Sequence, residues 1–387
     1  PAEPLLGDSL SARFNNIRSV SLHSSDSKLI VHDMGENLVR EFSLNPSDPM
    51  KFKMNRIAGN IYKTGGPTYN GSLVSNALAT ETPIGWSAGI YADPAGSIYI
   101  RNSRVFSRLN RSGPNQDRWE VILGSPATTP TKKIYEFNAA SCDSGVTSPA
   151  LCEATDRSYE IQGILPVEGP TNPFVLFSTW TWYEYDRQGG MKLTRTQVDG
   201  GQLLRNLTMT NWWAGLQYRW GNDGTVMGGT SAFPRFSPKT QYLDVNGTGY
   251  IISYANESWL NETRIRYLSL TRNASNQVTA GGKVGTIIDG LPGTVRSHHF
   301  VYNSTRNPSF EGYICFTSGE LYKYTFNNPM TSHNGSGVKG TSVTRVQIKL
   351  PLGYGCTGVS IEYSESEQKL YFPVSYDSLT GVGEVKL

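Results

Sequence analysis

At 387 residues with a net charge of +3 and only 17% charged side chains, the chain carries no electrostatic footprint for nucleic acid, and its Lys and Arg are scattered. Forty Gly, 21 Tyr and 8 Trp without a sustained apolar stripe at helical period describe many short strands and tight turns, and exclude a helical bundle or a disordered chain. The longest apolar runs, such as Phe174-Val175-Leu176-Phe177, are far too short to cross a bilayer as a helix, so no membrane partner is expected.

One phrase recurs along the chain: a small residue, an apolar pair and an aromatic or His, then a polar turn and a second β-rich run. Its first copy is Ser19-Val20-Ser21-Leu22-His23, preceded by Arg18, and its second is Ser87-Ala88-Gly89-Ile90-Tyr91, preceded by Trp86. Between them, residues 60–85 form a Gly/Ser/Thr/Asn-rich insertion too long for a hairpin turn. The stretch from about 110 to 210 has room for two degenerate copies, and a second insertion spans 137–155. Within it Cys142 and Cys152 close a short loop, one of the two disulfides expected, the other joining Cys315 to Cys356. Thr179 to Arg187 is the densest aromatic run and places Trp180, Trp182 and Glu184 on one strand face, as core or as a sugar platform.

The third copy, Ala214-Gly215-Leu216-Gln217-Tyr218, follows Trp212 and Trp213 and precedes Arg219. Tyr250–Tyr254 and Arg264–Leu270 read as a hairpin. The fourth copy contains Ser297-His298-His299 after Arg296, and the fifth begins at Gly358, shortly after Tyr354. Degenerate copies of one meander predict a single all-β domain over residues 1–387, a seven-bladed β-propeller of about 55 residues per blade, with six or eight blades as the alternatives. Residues 1–15 are expected to pair with the last strand near Val382–Lys386.

In a propeller the innermost strand begins beside the channel where ligands bind, so residues at the strand mouths are the candidates for chemistry. Aligning the copies sets Arg296 level with Arg18, Trp86 and Trp213, a rim that can hold a carboxylate with Arg and a sugar face with Trp. Alternation puts His298 on the same face as Arg296, which favours His298 over His299 as the working base. Tyr354, flanked by glycines, is a candidate acid, with a blade-capping role as the alternative. Because the mouth residues differ between copies, one asymmetric site is expected rather than a ring of equivalent lectin sites.

Nine Asn-x-Ser/Thr triplets occur, at Asn70, Asn110, Asn206, Asn246, Asn256, Asn261, Asn273, Asn303 and Asn334, most beside turn signals where a glycan would point into solvent. With the even number of cysteines they suggest a secreted, extracellular, glycosylated protein of eukaryotic origin, expected as a monomer whose signal peptide has been removed ahead of Pro1. No zinc spacing or other metal motif is present. No cofactor is expected, and the cation compatible with the chemistry below is Ca²⁺, held structurally or against a substrate carboxylate.

An aromatic-rich, multiply glycosylated propeller of this length resembles the fungal secreted polysaccharide-processing propellers, and among them the L-rhamnose-α-1,4-D-glucuronate lyases that trim arabinogalactan. The resemblance is one of architecture and size over nearly all the chain, and it carries no residue assignments. It implies β-elimination at a uronic acid within an acidic oligo- or polysaccharide. That chemistry needs the carboxylate neutralised, for which Arg296 or Arg18 is suited, with His298 as base and Tyr354 or His299 as acid. The alternatives are a non-catalytic lectin and a hydrolase of the same fold using a pair such as Glu184 and Asp186.

Overall fold

The computed structural model describes the strands and adjoining turns within residues 14–387. Residues 1–13 lie outside the described set, as do shorter loop runs and longer ones, the longest being 61–76, 124–151, 180–189, 226–240 and 327–337. The described residues are almost wholly β. A first sheet is formed by β1 (Ile17–Leu22), β2 (Lys28–Asp33), β3 (Leu38–Ser43) and β4 (Met54–Gly59), and a second by β5 (Ser87–Ala92), β6 (Ile98–Asn102), β7 (Phe106–Leu109) and β8 (Trp119–Leu123). After the short β9 (Cys152–Glu153), a third sheet holds β10 (Ile161–Val167), β11 (Phe174–Thr179), β12 (Gly190–Asp199) and β13 (Gln202–Leu203), followed in sequence by β14 (Asn206–Leu207) and β15 (Ala214–Leu216). β16 (Gly224–Thr225) leads into β17 (Gln241–Val245), β18 (Thr248–Glu257), β19 (Glu262–Arg272) and β20 (Val278–Asp289). β21 (Val295–Tyr302), β22 (Phe310–Phe316) and β23 (Leu321–Phe326) are joined, past β24 (Val338–Lys339), by β25 (Thr344–Ile348). The last sheet contains β26 (Tyr354–Cys356), β27 (Glu362–Ser364), β28 (Lys369–Tyr376) and β29 (Leu379–Lys386).

Five of these sheets are propeller-type antiparallel blades: β1–β4, β5–β8, β17–β20 and β21–β23 with β25, in which each strand pairs with the next, and β26–β29, built around β28. Five, rather than the expected seven, are traced through the described residues. The third sheet departs from the pattern because β13 and β15 both pair with β12, so the repeat at Ala214 is a three-residue strand and not the opening of a blade. In the last blade β26 and β27 share one edge of β28, so its inner strand is interrupted. β29 takes the other edge of β28 and is in turn bridged by Phe14 to Thr380. Among the described residues the N-terminal segment meets the final strand at Thr380, and the rest of residues 1–15, expected near Val382–Lys386, lies outside the described set up to residue 13. The expected hairpin is present as β18 and β19, with Tyr254 opposite Ile265.

Two compact units are distinguished, residues 1–138, 152–161 and 351–387 in one and 139–151 with 162–350 in the other. In the first, β3 is buried along its whole length and β2 at every residue but Lys28, because a middle strand of a blade is covered on both faces. Its cores gather Val20, Val31, Phe42 and Tyr371 in one cluster and Ile30, Val39, Ile90, Ile100 and Trp119 in another. In the second unit Tyr267, Ile287, Phe300, Phe310, Ile314 and Tyr324 share a cluster, and each side chain of this size withdrawn from water stabilises by about 1.5–3 kcal/mol. The outer strand β25 is exposed at four of its five residues. Cys315 and Cys356 are both disulfide-bonded, while Cys142 lies outside the described residues.

Candidate functional site

The inner strands of three blades open with the same irregularity. In β1 the pairing steps from Ile17–Asp33 to Ser19–His32, in β5 from Ser87–Asn102 to Gly89–Arg101, and in β21 from Val295–Phe316 to Ser297–Cys315. One extra residue is inserted at each, namely Arg18, Ala88 and Arg296. A bulge leaves its residue out of the ladder and re-aims the side chain, and bulges recur beside functional sites. Arg18 and Arg296 are thus equivalent, as the sequence alignment has them. Trp86, however, falls two positions before the matching bulge residue, outside the one-residue margin of the alignment, because the ladder resumes at Gly89 and not at Ser87. Trp86, Trp212, Trp213 and Arg219 themselves lie outside the described residues.

Each bulge arginine is fixed through its own carbonyl by a neighbouring segment, a bend in one case and a strand in the other. In the first unit the N–H of Val359 donates to the Arg18 carbonyl at 2.9 Å, and in the second the Tyr254 hydroxyl donates to the Arg296 carbonyl at 2.7 Å. Both arginine side chains are half-buried, the setting in which a guanidinium loses part of its hydration yet still reaches an anion.

Two positions after the bulge, β1 has Val20, β5 has Ile90 and β21 has His298, all of them buried. His298 is fully buried, its ring edge-on to Tyr254 at 5.6 Å and 89°, and tilted against Phe300 at 5.6 Å. It occupies a packing position. His299, opposite Tyr313, is half-buried, so of the pair it is the one open to solvent. The strand carrying both is gripped by Gln241 of β17, whose amide donates to the Phe300 carbonyl and accepts from the Phe300 N–H, each at 2.6 Å. The second unit therefore brings Arg296, His298 and Tyr254 together.

In the first unit the histidine beside the bulge arginine is one that sequence reasoning passed over. His32 is fully buried on β2, and among the described residues neither ring nitrogen has a hydrogen-bond partner. Burial, and after it the positive charge of Arg18, pushes His32 down to about 3. Next to it, Asp33 meets Arg40 at 3.4 Å, both of them buried, and accepts from the backbone N–H groups of Asn15 and Glu36. Burial pushes Asp33 up to about 6 against the opposing pull of Arg40 and those N–H groups. The Arg40 guanidinium also lies over the Phe14 ring at 5.1 Å. The available signal was the run Leu29-Ile30-Val31-His32-Asp33, in which two ionisable residues end an otherwise apolar strand.

Tyr354 stands in β26, opposite Tyr376, against which its ring stacks at 4.8 Å and 23°. Both are exposed. Of the sequons, Asn246 lies in a turn, Asn110 and Asn303 directly after strands, and Asn206 and Asn256 within strands, whereas Asn70, Asn261, Asn273 and Asn334 lie outside the described residues. The same holds for Trp180, Trp182, Glu184 and Asp186, and for most of both insertions. Cys152 is in β9. Among the described residues no group of three or more His, Cys, Asp or Glu is gathered to hold a metal ion.

No known family's sequence profile matches the chain, and no curated protein sequence matches it. Among solved structures it is similar to a gluconolactonase of Xanthomonas campestris, at 9% identity and a TM-score of 0.45 over 97% of this chain and 87% of that one. A luciferin-regenerating enzyme gives 10% identity and a TM-score of 0.44 over 97% and 92%. The β-propeller domain of Cps50 (Swd1) from Myceliophteria thermophila gives 9% and 0.42 over 95% and 83%. Likeness at this level carries no argument about activity, and the blade assignment rests on the strand pairing itself.

Proposed function

We propose that this chain is a secreted, extracellular, monomeric carbohydrate-active enzyme that cleaves a uronic-acid-containing plant glycan by β-elimination, of the rhamnosyl-glucuronate type found on arabinogalactan side chains. The observation that carries the reading is the bulge arginine Arg296, clamped by Tyr254 at the mouth of the strand that bears the His pair. Its guanidinium fork neutralises the uronate carboxylate and so acidifies the proton at C5. His299 takes that proton. The electron pair of the C5–H bond becomes the C4–C5 double bond, the C4–O4 bond breaks, and the imidazolium returns the proton to the departing oxygen. Full burial makes His298 a positioning residue, packed behind the strand rather than facing substrate.

The test is turnover of a rhamnosyl-glucuronide followed by the ultraviolet absorbance of the unsaturated product. Arg296→Lys, which keeps the charge but not the fork, is expected to lose at least about tenfold in kcat/KM, the worth of one charge-assisted bond, and His299→Ala about 10²-fold or more in kcat. Unchanged turnover in both variants would refute the assignment. The burial of His298 favours a second reading, a carbohydrate-binding propeller without catalysis, which would retain the glycan and release nothing from it.

A further inference from the structure

The inner strands β17 and β21 end side by side, and each ends on an Asn-x-Thr triplet: Asn246-Gly247-Thr248 and Asn303-Ser304-Thr305. The two asparagines are held differently. Asn246 and Gly247, with φ of 54° and 81°, form the two-residue turn closed by the Val245–Thr248 pair, and Asp244 accepts the Gly247 N–H at 2.8 Å. The Asn246 side chain is exposed, and its Oδ1 accepts from the hydroxyl of Tyr302 at 3.1 Å. Asn303 instead spends its Oδ1 on its own triplet, accepting from the Thr305 N–H at 3.0 Å and hydroxyl at 2.7 Å.

An amide is planar, so fixing Oδ1 on Tyr302 fixes the direction of Nδ2, the atom an N-linked sugar would occupy, while the bond leaves Nδ2 itself untouched. A sugar attached there starts within reach of the Tyr302 ring, which is half-buried and backed by Phe310 at 6.4 Å. The flat carbon-bound face of a pyranose suits such a ring.

We infer that Asn246 carries an N-linked glycan whose first N-acetylglucosamine lies against the Tyr302 ring, making that sugar part of the packing between β17 and β21, whereas a glycan on Asn303 has no such shelf. The inference rests on the secreted part of the proposed function and is independent of the reaction. Protein secreted from a eukaryotic host is mapped by mass spectrometry for occupancy. Its unfolding is then compared with the glycan intact, trimmed to the first sugar, and removed completely. Trimming is expected to leave stability unchanged, and complete removal to shift the unfolding equilibrium between about two- and tenfold, as one aromatic contact would.

In Tyr302→Leu that shift disappears, while Tyr302→Phe, which keeps the ring, retains most of it. Asn303→Gln leaves it in place. Secreted protein with other sequons occupied and Asn246 bare would overturn the inference alone, as would an equal loss on sugar removal in wild type and Tyr302→Leu. A chain bare at every sequon would overturn the secreted reading with it.

Discussion

His32 and Asp33 are neighbours on one strand with opposite responses to acid. A histidine held at about 3 when folded stays neutral while the unfolded chain, with its ordinary value of about 6.5, takes a proton. Its contribution is complete above about pH 6.5 and is lost as pH falls toward 3. Asp33, raised to about 6, runs the other way, its contribution complete below about pH 4 and lost as pH rises through 6. Denaturant titrations from about pH 6.5 down to 4 should therefore show His32→Leu gaining about 2 kcal/mol and Asp33→Asn losing about 3 kcal/mol, with the wild type nearly flat between them. Variants moving in the same direction would contradict both shifts. Arg40→Met should cost about 3–5 kcal/mol, because it strands the buried Asp33 carboxylate, and the double variant Asp33→Leu with Arg40→Met should cost less than that single change.

Neighbouring blades are tied through their inner strands by polar side chains reaching backbone. Ser19 and Ser21 of β1 accept from the N–H groups of Ile90 and Ala92, the Ser360 hydroxyl accepts from the Val20 N–H, and Gln241 takes both backbone groups of Phe300. Each buried N–H left without its acceptor costs about 1–3 kcal/mol, so Ser19→Ala should lose about 1 kcal/mol and Gln241→Leu at least twice that, read from denaturant midpoints at constant m. Gly312, opposite Phe300 across β21 and β22, leaves room for that ring: a Cβ there would sit 2.5 Å from Phe300 Cε1, and Gly312→Ala should destabilise through the same packing. Strand placement was legible at this scale, since the repeats at Ser19, Ser87 and Ser297 fall within β1, β5 and β21. The bulge was not legible, because an inserted residue leaves no mark on composition and shows only in the partner's register. The packing role of His298 follows from the same register, which sets it level with Val20 and Ile90.

At the scale of the whole molecule, counting repeat copies and the room between them gave seven blades, and that count was misled by a third sheet in which β13 and β15 both pair with β12. All-β architecture and blade-type meanders were readable because turn residues punctuate the apolar runs. The buried ionisable cluster on β2 was not, because charges inside a strand covered on both faces look in sequence like solvated ones. Within each blade, strands one and three run parallel, so Asn110, Asn246 and Asn303 stand at the ends opposite those where Arg18 and Arg296 enter. Replacing these three asparagines with Gln should leave kcat/KM for the glycan unchanged.

Elimination is tested most directly by the mass of the fragment released from a rhamnosyl-glucuronide in water enriched in heavy oxygen. The account requires an unsaturated uronate lighter than the hydrolysis product by one water and free of label, formed at least about tenfold more slowly with Arg296→Lys. A saturated uronate, with the heavy oxygen in the released rhamnose, would contradict it, as would tight binding of the glycan with no fragment released.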